Sequence, residues 1–102
     1  MIEHSQHQGI HELRLARAPV NALDPQLCRR LREAVVGAVA DGAQGIVLSG
    51  GPGAFSAGLD VPHLLGLDAP ALREAWAGFI DAARALAQSP VPVVAALNGH
   101  AP

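Results

Sequence analysis

Three observations predict an α/β fold with parallel strands joined by helical crossovers. Two short apolar runs, GIVLS at residues 45–49 and VVAAL at 93–97, are bounded by glycine or proline, as buried strands are. Each is preceded by an amphipathic stretch with a helix start signal, Asp24-Pro25 before the first and Asp68 with Pro70 before the second. Strands that alternate with helices in this way pair in parallel, because an antiparallel partner needs only a short turn.

The elements follow in order. Leu13 and Leu15 alternate with Arg14, which predicts a strand over residues 10–16. Residues 2–6 are placed as its partner, with Gln8 and Gly9 at the turn. Residues 18–23, APVNAL, read as an extended linker, since Pro19 biases Ala18 away from helix. Asp24 then caps a helix whose Leu27, Leu31, Val35 and Val39 recur at spacing four, ending near Asp41-Gly42. The run 45–49 is expected to be buried on both faces, and Gly51-Pro52-Gly53 turns out of it. A short helical turn is expected within 61–67. A second long helix follows over 69–88, with an apolar stripe of Leu72, Ala75, Phe79, Ala83 and Leu86. Pro90 and Pro92 end it, VVAAL forms the last buried strand, and Asn98-Gly99 turns out.

Composition narrows the function classes. The 102 residues make one small domain, 1–102, half hydrophobic and nearly free of aromatics, so its core is Ala, Val, Leu and Ile. There is no lysine, which removes Schiff-base chemistry, a phosphate-loop lysine and a polybasic membrane patch. A net charge of −2 gives no electrostatic footprint for nucleic acid. No apolar run approaches the ~20 residues of a membrane helix, and the polar start MIEHSQHQG is not a signal peptide. The single cysteine, Cys28, permits no internal disulfide and sits in a helical pattern as a passive, partly buried thiol. These features predict a cytoplasmic protein with neither nucleic acid nor membrane as partner.

The stretch GPGAFSAGLD, residues 51–60, is the strongest candidate for chemistry. A Walker loop needs a Gly-Lys pair, and a dinucleotide fingerprint needs glycine where Ser56 stands. Ala54-Phe55-Ser56-Ala57-Gly58 approximates a serine-nucleophile elbow, but five or so loop residues separate Ser56 from its strand. His4, His7 and His11 would gather only on a helix, and the region reads as strand and turn, which disperses them; no metal site is predicted. His63 and His100 stand isolated in sequence. The remaining reading is a backbone donor site: small residues at 57 and 58 let a ligand approach the main chain, and the N–H of Leu59 then points into a pocket.

Here the residues carry a resemblance. GAFSAGLDV (53–61) resembles the first oxyanion-hole loop of the crotonase family, the enoyl-CoA hydratases and isomerases. RAPVNALD (17–24) is similar to that family's R-P-x-x-N-A-L segment, GIVLSGGPGAF (45–55) to its buried strand and turn, and PVPVVAALNGHAP (90–102) to the strand leading to its second oxyanion segment. The resemblance implies a crotonase-like ββα spiral, with this chain as its truncated N-terminal part. It implies an acyl-CoA thioester as substrate, with coenzyme A entering only as part of that substrate and no separate cofactor.

It implies further that the Leu59 N–H is the first donor to the thioester carbonyl. Ala18, Val20, Ala57, Gly58, Asp60 and Val61 are then expected along the coenzyme A moiety, with Asp60 chiefly holding the loop. The second donor and the acid or base are expected beyond residue 102, so the 102 residues alone are expected not to turn over. A homotrimer or hexamer is expected at full length. The rival readings are a non-catalytic remnant or coenzyme A thioester-binding module and, more distantly, a serine hydrolase. Hydration, isomerisation and the family's other reactions remain open.

Overall fold

The computed structural model describes residues 1–102, which form a four-stranded sheet with three helices. β1 (Ile2–His7) and β2 (Ile10–Leu15) form an antiparallel hairpin in which Ile2 faces Leu15 and His7 faces Ile10. The two-residue turn is Gln8-Gly9, both at positive φ (50° and 85°), the backbone that two-residue hairpin loops favour. β3 (Gly45–Ser49) lies parallel to β2, and β4 (Val93–Ala95) parallel to β3, giving the sheet order β1-β2-β3-β4.

α1 (Pro25–Ala40) makes the crossover from β2 to β3. Asp24 caps it by accepting the Leu27 N–H at 2.8 Å, and Pro25 occupies its first turn, where a missing N–H costs nothing. Gly42, at φ +84°, follows the last turn as a C-terminal glycine should. Leu27, Leu31, Val35 and Ala38 of α1 pack on Leu13 and Leu15 of β2 and Ile46 and Leu48 of β3, with Leu13 fully buried. This is the core, and it lies on one face of the sheet.

α2 (Val61–Leu65) and α3 (Ala69–Ala87) connect β3 to β4, each capped by the aspartate before it. Asp68 accepts the Ala71 N–H at 2.9 Å, and Asp60 the His63 N–H at 3.2 Å. α3 packs along α1.

The structure corrects four expectations. Residues 18–20 turn rather than extend: Asn21 N–H bonds back to the Arg17 carbonyl at 2.8 Å and Asn21 takes a left-handed φ of 53°. The inward face of α3 is Ala75 and Ala82, flanked by Gly78, Phe79, Ala85 and Leu86, whereas Leu72 and Ala83 are exposed. The small residues set this rotation, because they let α3 approach α1 closely. β3 buries Ile46 and Leu48 fully but Val47 only in part, since α1 covers one face alone. The last strand stops at Ala95 and is an exposed edge, with Val94 and Leu97 open to solvent.

Candidate active site

Two segments, 17–24 and 54–61, run beside each other over the end of the sheet, joined by a dense set of bonds. Asn21 is the hub. Its Oδ1 accepts the Arg17 N–H at 2.6 Å, and its Nδ2 donates to the carbonyls of Ala54 (3.3 Å) and Phe55 (3.0 Å). Its own carbonyl accepts the Ser56 hydroxyl at 2.8 Å. Asparagine suits the position twice over: it tolerates the left-handed backbone and its amide both gives and takes. Further along, the Leu23 N–H donates to the Gly58 carbonyl at 2.8 Å and the Asp60 N–H to the Leu23 carbonyl at 3.0 Å, a parallel bridge of Leu23 with Leu59.

The loop's amides can be accounted for one by one. Phe55 and Ser56 N–H donate to the His100 carbonyl, at 2.8 and 3.3 Å, and Ala57 N–H donates to the Val20 carbonyl at 2.9 Å. Gly58 N–H donates to Ser56 Oγ at 3.1 Å. Asp60 N–H is taken by Leu23 and Val61 N–H by the Leu59 carbonyl. From Phe55 to Val61, only the Leu59 N–H has no acceptor. It belongs to the same planar peptide unit as the Gly58 carbonyl, which Leu23 N–H anchors from the opposite side. Planarity therefore aims the Leu59 N–H away from Leu23, and the anchoring bond polarises it into a better donor. Gly58 sits at φ +87°, a backbone that a side chain would strain.

The other expected site residues lie on the same two segments. Ala18, Val20, Ala57 and Val61 are exposed, while Gly58, Leu59 and Asp60 are half-buried. A groove of about 320 Å³ is lined by Arg17, Ala18, Pro19, Asn21, Pro52 and Ala54 among others. Asp60 holds the loop: Oδ1 caps α2 and Oδ2 meets Arg17 Nη1 at 3.0 Å. The His63 N–H bond above all, with help from the Arg17 guanidinium, holds its carboxyl below the usual value against the opposing effect of burial. The segment 98–102 reaches the same loop. Ala54 bridges His100, and the Asn98 side chain exchanges two bonds with the Gly50 backbone, at 3.2 and 2.7 Å. Gly99 permits this approach, since a Cβ there would lie 2.7 Å from Ala54 N.

Sequence reasoning missed the roles of Arg17 and Asn21, although both stand in the quoted segment. The available signal was a buried-polar type, Asn, directly before an apolar pair and a cap.

Other candidates resolve differently. Ser56 Oγ is engaged on both sides, donating to Asn21 and accepting from Gly58, and no histidine ring bonds to it. That is a structural hydroxyl, not a nucleophile awaiting a base. His4 and His11 are not dispersed. The hairpin register makes them diagonal neighbours on one face, with Nε2 and Nδ1 2.8 Å apart and His11 only 3% exposed. His7 falls on the opposite face, and no three His, Cys, Asp or Glu side chains gather as a metal site would need. His63 lines a separate hollow of about 460 Å³ between the helices with Arg29, Arg32, Glu74 and Asp81, which holds none of the expected site residues. Cys28 is buried, and burial, with Asp24 nearby, pushes its thiol pKa up, which leaves it unreactive. No helix is long and apolar enough to cross a membrane.

The sheet and helices are those of the crotonase fold, as likeness to solved structures shows. Comparison with known proteins agrees: a family profile described as enoyl-CoA hydratase/isomerase matches residues 5–102, and the chain belongs to that family. A probable enoyl-CoA hydratase, EchA17, of Mycobacterium tuberculosis is 38% identical over 101 residues, covering 95% of this chain. The chain spans 38% of the length of that relative. Among solved structures, human mitochondrial delta3-delta2-enoyl-CoA isomerase superposes with a TM-score of 0.91 at 25% identity, covering 96% of this chain and 40% of that one. Pseudomonas aeruginosa DspI superposes at 0.89 with 27% identity, covering 98% and 39%.

Proposed function

We propose that residues 1–102 carry the first half of an oxyanion hole for an acyl-CoA thioester, in a protein that performs hydratase or isomerase chemistry through a thioester enolate. The observation that carries the reading is the unpaired Leu59 N–H, flanked by amides that are all engaged from Phe55 to Gly58 and at Asp60 and Val61. Negative charge develops on the thioester oxygen as a proton leaves or joins the neighbouring carbon. A fixed donor aimed at that oxygen favours the charged state without reorganising, a gain of about 3 kcal/mol for one donor. The exposed small residues Ala18, Val20 and Ala57, with Val61, leave room for the coenzyme A moiety along the two segments. In this reading the second donor and the proton-transfer group belong to the part of the family's length that residues 1–102 do not span. The assembly is a homotrimer or hexamer, as the resemblance implies, and the lone free thiol of Cys28 fits a cytoplasmic place.

The test is the absorption band of a cinnamoyl-CoA-type thioester, whose conjugated carbonyl shifts to the red when its oxygen is hydrogen-bonded. A red shift on binding is expected. Leu59→Ala keeps the N–H and keeps the shift, whereas Leu59→Pro has no N–H and loses most of it. Binding with no shift would sink the oxyanion reading and leave a thioester-binding module.

A further inference from the structure

We infer that Arg17 is the positioning residue of the donor loop: it ties the segment carrying Leu23 to the segment carrying Leu59 and so sets the direction of the free N–H. The inference rests on the oxyanion reading for its meaning, but not for its geometry. Arg17 stands just after β2, and its own backbone is pinned at both ends by Asn21, the carbonyl accepting Asn21 N–H at 2.8 Å and the N–H reaching Asn21 Oδ1 at 2.6 Å. From that fixed base the guanidinium, 26% exposed, divides its donors three ways. Nη1 donates to the Ala22 carbonyl at 2.7 Å and meets Asp60 Oδ2 at 3.0 Å, while Nη2 meets Asp24 Oδ2 at 3.4 Å.

The two carboxylates are the N-caps of α1 and α2, and they flank the Leu23–Leu59 bridge, Asp24 following Leu23 and Asp60 following Leu59. One planar cation therefore clamps both strands of the bridge at the residue next to it. Without that cation the two like charges repel across the bridge whose Leu23-to-Gly58 bond aims the Leu59 N–H. A lysine has the charge but not the fork, and cannot hold a carbonyl and two carboxylates in one plane.

The test compares Arg17→Met and Arg17→Lys with the unaltered full chain in two measurements. The first is hydrogen exchange without ligand at the Ala57 and Asp60 amides, which bond to the facing segment, against the Ile46 and Leu48 amides of β3. Arg17→Met is expected to speed exchange at least tenfold at Ala57 and Asp60 while leaving β3 unchanged, with Arg17→Lys restoring only part. The second is the red shift of the bound cinnamoyl-CoA-type thioester, expected to fall in Arg17→Met with little change in its affinity.

Unchanged exchange at Ala57 and Asp60, or an equal rise in β3, overturns the inference, the latter because it marks a general loss of stability. If Arg17→Met does not fold, Asp60→Asn removes one arm of the clamp and is read by the same two outcomes. A native protein that shows the local exchange pattern but no red shift refutes the oxyanion reading and leaves the role of Arg17 in ordering the loop standing.

Discussion

Asn21 offers the sharpest test of how the loop is built. Its side chain is 5% exposed with three bonds to backbone groups, and its backbone is left-handed. Asn21→Ala removes all three bonds and strands the Arg17 N–H and the Phe55 carbonyl, while the Ala54 carbonyl keeps the Gly51 N–H. At about 1 kcal/mol net per bond, that is about 3 kcal/mol. Alanine in the left-handed region adds about 1 kcal/mol that asparagine largely avoids. The expected loss is therefore about 4 kcal/mol, a large share of the roughly 5–15 kcal/mol by which domains are stable.

Two companion variants separate the parts. Asn21→Gly loses the bonds but not the backbone fit, and is expected to be about 1 kcal/mol less damaging than alanine. Asn21→Asp keeps the acceptor for Arg17 N–H but sets an oxygen against two carbonyls. It is expected to recover part of its loss in acid, where the protonated carboxyl donates one bond again. Urea denaturation followed by circular dichroism measures all three. If Asn21→Ala falls within about 1 kcal/mol of the native chain, or glycine and alanine are equal, the hub account is wrong.

Two other expectations follow from the same site. Ser56→Ala loses the bonds to Asn21 and Gly58, about 1–2 kcal/mol of stability, yet retains the red shift of a bound enoyl thioester, whereas a serine hydrolase would lose its activity outright. Asp60 has a lowered pKa in the fold, so its support of the loop is fully present above the ordinary carboxyl value of 3.8 and is lost as pH falls through the lowered folded value. The His63 amide shift followed by NMR should show a step in that acid window, and in Asp60→Asn that step disappears.

How much was legible in the sequence depended on the range of the interaction. Caps and hairpin turns are local, so Asp24, Asp68 and Gln8-Gly9 could be read from spacing and residue type. Register is not local. His4 and His11 meet only because Gln6 faces His11 across the hairpin, and a one-residue slip would have parted them. The face of α3 failed for a related reason. A stripe drawn on hydrophobicity favoured Leu72, but the helix turns its alanines and Gly78 inward because close packing on α1 rewards small side chains more than large ones. The donor loop could be located from GAFSAGLD, but the assignment of Leu59 as its free amide depends on where Leu23 and Val20 lie, thirty or more residues away in the chain.

That dependence explains why the loop's composition is as it is. An unpaired N–H in a half-buried loop is a liability unless its direction is held, because a mobile loop would turn it to a neighbouring carbonyl. Here the neighbouring carbonyls are already taken: Val20 by Ala57, Leu23 by Asp60, Asn21 by Ser56, Gly58 by Leu23. Those four carbonyls are therefore engaged by other donors, and among residues 1–102 the Leu59 N–H bonds to nothing. Small side chains at 57 and 58 keep the approach open, and the left-handed Gly58 makes the turn that presents it. In the proposed reading, a ligand oxygen gains a bond to this unpaired donor, and the ordering cost is met on folding rather than on binding.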